Sequence, residues 1–173
     1  MPITTFCLLA VASCFAGFVD AVSGGGGLIQ LPALLIGMHS KPIPMILGTN
    51  KVPSIFGTTS AAVNYMRNIK PDIRTTLFMA VPAFIGSLSG ARLAAEVPTE
   101  VFRPLIIALL ILVALYTIFR PHFGMEENLK FSPHKTKVIV SVSGLAIGFY
   151  DGIFGPGTGT FLVFILVGLI GYA

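Results

Sequence analysis

The sequence predicts an all-α, polytopic integral membrane protein with a duplicated repeat, each copy opening on a helix broken at glycines. Three observations carry this. With 54% hydrophobic and only 10% charged residues and a mean hydropathy of +0.89, a soluble domain of 173 residues would hold more apolar surface than it could bury. Apolar runs near the ~20 residues a spanning helix needs recur at Ile3 to Val19, Ile43 to Met66, Leu77 to Ala95 and Val101 to Phe119, a length that excludes barrel strands. Finally, Gly148-Phe149-Tyr150-Asp151-Gly152-Ile153-Phe154-Gly155-Pro156-Gly157 restates Gly17-Phe18-Val19-Asp20-Ala21-Val22-Ser23-Gly24-Gly25-Gly26.

The first unit, Ile3 to Gly37, is too long for one span and too short for two. A re-entrant hairpin broken at Asp20 to Gly27 would put the N-terminus outside and make the two copies inverted, as in many secondary transporters. A single crossing with an unwound middle would make them parallel; both arrangements stay open. Basic residues gather at Arg67, Lys70 and Arg74, and again at Arg120, Lys130, Lys135 and Lys137, whereas the loop between them carries Glu96 and Glu100. The positive-inside rule places both basic loops in the cytoplasm, two crossings apart.

The copies are offset by 131 residues, since 151 minus 20 and 148 minus 17 agree. Residues 1–125 then form the first repeat (a broken helix plus three spans), 126–137 a cytoplasmic loop, and 138–173 the start of a second, incomplete repeat. The expectation is a fragment of a longer chain, or a chain that needs a partner, a homo-oligomer included.

In hydrocarbon every backbone N–H and C=O must be paired within the protein. The run Gly24, Gly25, Gly26 and Gly27, with its counterpart at Gly155 and Gly157, is therefore expected at a cavity or a packed interface. Glycine lets a ligand approach closely, and N–H groups freed at the next half-helix, near Leu28, suit an anion. Close packing of small residues is the competing reading. Asp20 and Asp151 occupy equivalent positions and serve either as caps for the freed N–H groups or as proton carriers.

Within the second run, Thr49, Asn50 and Lys51 precede Pro53, and Lys51 is the only charge between Ile43 and Met66. Proline cannot donate to the carbonyl of Thr49, so a broken or kinked helix is expected here. Lys51, Ser54 and Thr58 form a polar lane at helical spacing, with Asn50, Gly57 and Ala61 close by. A cation and an amide facing a cavity suit a small oxyanion; a lysine snorkelling to the interface is the alternative.

Gly86 and Gly90 form a GxxxG face for helix packing, and Arg92 and Arg103 read as interfacial anchors. Cys7 and Cys14, roughly 10 Å apart on one helix, are beyond disulfide reach. Val11-Ala12-Ser13-Cys14 resembles a lipoprotein box, but Met1 to Phe6 lacks the basic residues of a signal peptide. His39, His122 and His134 show no metal-ligand spacing. Neither glycine run fits a P-loop or a dinucleotide motif, and no nucleophile and base stand together, so an enzyme, a cofactor or a metal site has no support. The net charge of +4 is accounted for by topology without nucleic acid.

Gly17-Phe18-Val19-Asp20 with Gly24 to Gly27, then Thr49-Asn50-Lys51, then Gly148-Phe149-Tyr150-Asp151-Gly152 with Phe154-Gly155-Pro156-Gly157, in this order, resemble the TauE/SafE-like sulfite/sulfonate exporters, also called the toluene sulfonate uptake permease family. The resemblance covers essentially the whole chain. It implies a multi-pass permease of the bacterial inner membrane moving sulfite, sulfoacetate or another organosulfonate. Members of that family continue into a second Asn-Lys-like segment, which this sequence does not reach. Combined with the residues, it makes Thr49, Asn50, Lys51, Gly24 to Gly27, Gly155 and Gly157 the expected contacts of a small anion exported by alternating access. The rival readings are a non-transporting membrane scaffold or assembly subunit and, with less to carry it, a cation or metal permease using the two aspartates.

Overall fold

The computed structural model describes residues 3–23, 26–68, 72–119 and 131–171. They form helices α1 (Ile3–Ser23), α2 (Gly27–Gly37), α3 (Ile43–Asn68), α4 (Ile73–Glu96), α5 (Thr99–Phe119), α6 (Pro133–Ile153) and α7 (Thr158–Val163), the last running into a π-helical segment, Phe164–Ile170. Among the described residues there is no strand. The segments Ile3–Ala21, Ile73–Glu96 and His134–Ile153 are long and apolar enough to cross a membrane. All-α polytopic architecture follows.

The chain packs as two compact units, Met1–Pro71 with Val97–Leu110, and Asp72–Glu96 with Ile111–Ala173. In the first, α2 doubles back along α1. Gly26 lies against the backbone of Ala16 and Gly37 against the side chain of Leu9, while Gln30 Nε2 reaches Ser13 Oγ at 3.5 Å. One series rises as the other falls, so the two helices are antiparallel and α1 with α2 is a hairpin. At 11 residues, or roughly 16 Å, α2 is too short to span a bilayer.

Helix α3 buries Ile43, Ile46, Leu47 and Asn50, one stripe at the i, i+3, i+4, i+7 spacing. It is continuous from Ile43 to Asn68, so the break expected at Pro53 does not occur. Removing one backbone donor leaves the bonds on either side of it able to carry the helix. From α5, Phe102 and Ile106 are fully buried, and Arg103 Nη2 donates to the carbonyl of His39 at 2.6 Å. That bond fixes the turn between α2 and α3, a role beyond the anchoring expected of this arginine.

The second unit is built on a glycine seam. A Cβ at Gly86 would strike the carbonyl of Leu145 and one at Gly90 that of Phe149; from the other side, Gly144, Gly148 and Gly152 meet the carbonyls of Met79, Ala83 and Ser87. The paired numbers ascend together, so α4 and α6 run parallel, backbone against backbone. Gly86 and Gly90 thus pack helices, as their spacing predicts. Ser141 Oγ adds a bond to the carbonyl of Phe78 at 2.8 Å, and Lys137 Nζ sits 5.3 Å from the Phe78 ring centroid. Both helices start at basic ends, in keeping with the charge pattern. Because α6 opens at Pro133, Lys135 and Lys137 belong to its first turns.

Helix α4 is capped by Asp72, whose carboxylate accepts from the Thr75 hydroxyl and from the N–H groups of Arg74 at 3.1 Å and Thr75 at 3.3 Å. These bonds, the Thr75 hydroxyl first, hold the carboxyl below its ordinary value of 3.8. A lowered native value makes the cap's contribution fully present above that ordinary value and lost as pH falls through the native one. Asp72→Asn keeps an acceptor without the titration, so the variant's thermal stability in detergent should fall less than the wild type's between about pH 6 and about pH 3; equal losses would discount the cap.

The seam makes a second prediction. Gly148→Ala forces α4 and α6 apart and should destabilise the protein by about 1–3 kcal/mol. Gly57→Ala, with nothing within 4 Å of the added carbon, should be neutral or slightly stabilising. Melting temperatures of the two variants check this, and equal effects would refute the seam.

Candidate functional site

The first glycine break is held by a carboxylate. Asp20 Oδ1 accepts from the N–H of Gly26 at 2.9 Å, across the turn that joins α1 to α2. Gly26 is buried, and a side chain there would run into Ala16 and into Asp20 itself, so only glycine brings the amide within reach. The carbonyl of Gly26 then accepts from Ile29 at 3.1 Å and Gln30 at 2.9 Å. Gly27 opens α2, and Gly24 and Gly25 lie outside the described residues.

At the second break α6 ends at Ile153, and Gly155 (φ 95°) and Gly157 (φ 82°) take left-handed conformations that side chains disfavour. Gly157 also abuts Val113 of α5. Here Asp151 Oδ1 accepts from the hydroxyl of Thr158 at 2.9 Å, and that same hydroxyl lies against the carbonyl of Gly155, so one proton serves two acceptors. Tyr150 Oη donates to the carbonyl of Pro156 at 2.8 Å. Its ring stands edge-on to Phe154 and Phe161, with centroids 5.7 and 5.3 Å away. The loop is thereby pinned from both sides.

A cavity of about 650 Å³ opens between α4, α6 and the α7–π segment. Polar side chains are confined to its ends: Asp72, Thr75 and Thr76 where α4 begins, and Ser87, Asp151 and Thr158 beside the second break. Thr76 and Ser87 are 11 residues apart on α4, roughly 16 Å. Between them the walls are apolar, formed by Met79, Ala83, Phe84, Val140, Ile147 and Leu162 among others.

The three polar residues of α3 separate around the helix. Asn50 is 5% exposed, and its Oδ1 has no hydrogen-bond partner among the described residues, an omission worth about 1–3 kcal/mol in a buried setting. Thr49 is exposed and bonds back to the carbonyl of Met45 at 2.8 Å. Lys51 is partly exposed. Ser54 and Thr58 turn their hydroxyls onto the carbonyls of Asn50 at 3.1 Å and Ser54 at 2.7 Å, so the polar lane satisfies its own helix. Among the described residues no three His, Cys, Asp or Glu side chains gather.

Within the first unit, then, Asp20, Gly26, Gly27 and the Asn50–Lys51 pair share one body; in the second, Asp151, Gly155, Gly157 and Thr158 share another. The cavity and the roles of Tyr150 and Thr158 went unread in the sequence. For the seam, the spacing Gly144, Gly148, Gly152 was a usable signal.

Residues 9–173 match the family model described as sulfite exporter TauE/SafE. The chain belongs to this family. It is 40% identical over 166 residues to a probable membrane transporter protein, ORF9, of a Sinorhizobium species, covering 95% of this chain and 61% of that protein. A probable membrane transporter of Haemophilus influenzae is 36% identical over 172 residues, at 95% and 64% coverage. The Escherichia coli K12 protein YfcA, also named a probable membrane transporter, is 32% identical over 165 residues, at 95% and 60%. This chain therefore spans about three fifths of the length of these relatives. No solved structure matches it. TauE/SafE proteins are membrane transporters rather than enzymes, and the bacterial relatives together with the apolar helices make this a multi-pass inner-membrane protein.

If Asp20 closes the first break, Asp20→Ala should destabilise the protein by about 1 kcal/mol, and Asp20→Asn, which keeps an acceptor, by clearly less. Denaturation in mixed micelles measures both, and equal losses would remove the carboxylate from this role.

Proposed function

We propose that this TauE/SafE chain acts as a permease for a small sulfur-containing oxyanion, with sulfite, sulfoacetate and other organosulfonates as the solute class and export by alternating access as the mode. The observation that carries the reading is the Asn50–Lys51 pair: a buried amide beside the only charge between Ile43 and Met66. A lysine inside an apolar span is a functional residue by default, because hydrocarbon disfavours its charge unless a partner or solute compensates it. The positive end of α2 at the first glycine break supplies a second attraction for an anion. The family description, sulfite exporter, supports the chemical class. The fold-back of α2 along α1 supports the inverted arrangement of the copies, which alternating access exploits.

Lys51→Met tests this. Proteoliposomes carrying the protein from its whole reading frame should release labelled sulfite at least about tenfold faster than the variant, equivalent to ~1.4 kcal/mol, with insertion unchanged. Equal release would displace Lys51 from the path. Equal and protein-independent release of sulfite and of organosulfonates would favour the non-transporting scaffold.

A further inference from the structure

Arg103 brings more donors to the junction of α2, α3 and α5 than the turn there uses. Its Nη2 donates to the carbonyl of His39 at 2.6 Å, which fixes the turn. Its Nε is buried and has no partner among the described residues, a costly state for part of a charged group. Among those residues no carboxylate pairs with the guanidinium. Glu100, three residues earlier, lies in the first turn of α5, where its charge complements the positive end of that helix. With Nε turned inward and one N–H of Nη2 spent on His39, Nη1 and the second N–H of Nη2 remain. They form a fork of fixed orientation, and such a planar fork pairs with two oxygens of a phosphate at once.

The turn adds a second cation and an apolar rim. The N–H of Lys41 bonds the carbonyl of Met38 at 2.9 Å, so Lys41 closes the turn that Arg103 holds. Two residues separate it from His39, at most roughly 7 Å of backbone, and its side chain is exposed. Lys41 and Arg103 against Glu100 leave the junction net positive; the exposed His39 is the other titratable side chain there. Each of the three helix ends also carries an exposed aliphatic side chain: Ile36 in the last turn of α2, Met45 in the first turn of α3, and Leu105 two residues past Arg103. All of these residues belong to the first unit. Here the apolar runs of α3 and α5 begin, the level at which a spanning helix meets headgroups. A free inorganic anion has no use for an apolar rim, whereas an amphiphile uses both charge and rim.

We infer that this junction binds the phosphodiester of an anionic phospholipid. Two phosphate oxygens accept from Nη1 and Nη2 of Arg103, Lys41 supplies the second charge, and the acyl chains lie along Ile36, Met45 and Leu105. A zwitterionic headgroup brings its own cation beside Lys41, so the site selects lipids of net negative charge. A general interfacial anchor needs only its charge at that depth; the fork adds a geometry that a lysine cannot reproduce. The inference stands apart from the transport reading.

Native mass spectrometry tests it on the protein from its whole reading frame, in detergent with added phosphatidylglycerol, phosphatidylcholine or inorganic phosphate. The first lipid bound should be phosphatidylglycerol, at least about tenfold tighter than phosphatidylcholine, with inorganic phosphate not retained. Arg103→Lys keeps the charge and a donor for His39 but loses the fork, and should weaken that first phosphatidylglycerol about tenfold. Lys41→Gln leaves the His39 bond untouched and should weaken it severalfold; this variant decides alone if the Arg103 variant does not assemble. Equal affinity for the two lipids overturns the inference, as does a first phosphatidylglycerol held equally by the wild type and the variants. Inorganic phosphate retained as tightly as the lipid also overturns it, assigning the fork to a soluble anion. Each of these outcomes leaves Lys51-dependent flux to be judged by its own experiment.

Discussion

A helix that stops within hydrocarbon exposes N–H and C=O groups that only protein can satisfy, and the hairpin of α1 and α2 depends on how that is done. The carboxylate of Asp20, six residues before Gly26, bonds its N–H. That hydrogen bond offsets part of the ~2.5–3.5 kcal/mol that an acid costs inside a membrane. Without it α2 would begin on an unpaired donor. With it, a helix too short to span becomes a fixed element of the first unit.

The second unit solves a different problem. Lipid tails are as apolar as leucine, so two membrane helices gain little from burying large side chains against each other. Close approach is the alternative, and α4 and α6 achieve it with Gly86 and Gly90 facing Gly144, Gly148 and Gly152. Gly148 and Gly152 belong both to the repeated motif and to this seam. Gly17, the equivalent of Gly148, meets nothing within 4 Å. The same letter in the two copies therefore answers to different constraints.

Membrane class, helix positions and the glycine breaks were legible because each rests on a local property: run length, apolar content, or the absence of a side chain. Helix α3 was expected over Ile43 to Met66 and runs from Ile43 to Asn68. What was not legible depends on distance through space. The bond from Arg103 to His39 joins residues 64 apart, and the burial of Asn50 against the exposure of Thr49 depends on which face of α3 meets the rest of its unit. Pro53 misled for a related reason. Its missing donor was visible in the sequence, but the neighbouring hydrogen bonds that carry the helix through were not.

The two aspartates show how far a repeated motif can diverge while keeping its letters. Gly26 has right-handed helical angles, φ −57° and ψ −35°, and presents its own N–H to Asp20. Gly157, its equivalent, is left-handed at φ 82°, and Asp151 bonds instead to the hydroxyl of the next residue, Thr158, where the first copy has Gly27. A backbone N–H can only donate, whereas a hydroxyl can also accept. The first contact therefore ties the carboxylate to the backbone; the second leaves Asp151 and Thr158 at the lining of a cavity. One motif thus yields a carboxylate bound to the backbone in one unit and a carboxylate bound to a side-chain hydroxyl in the other.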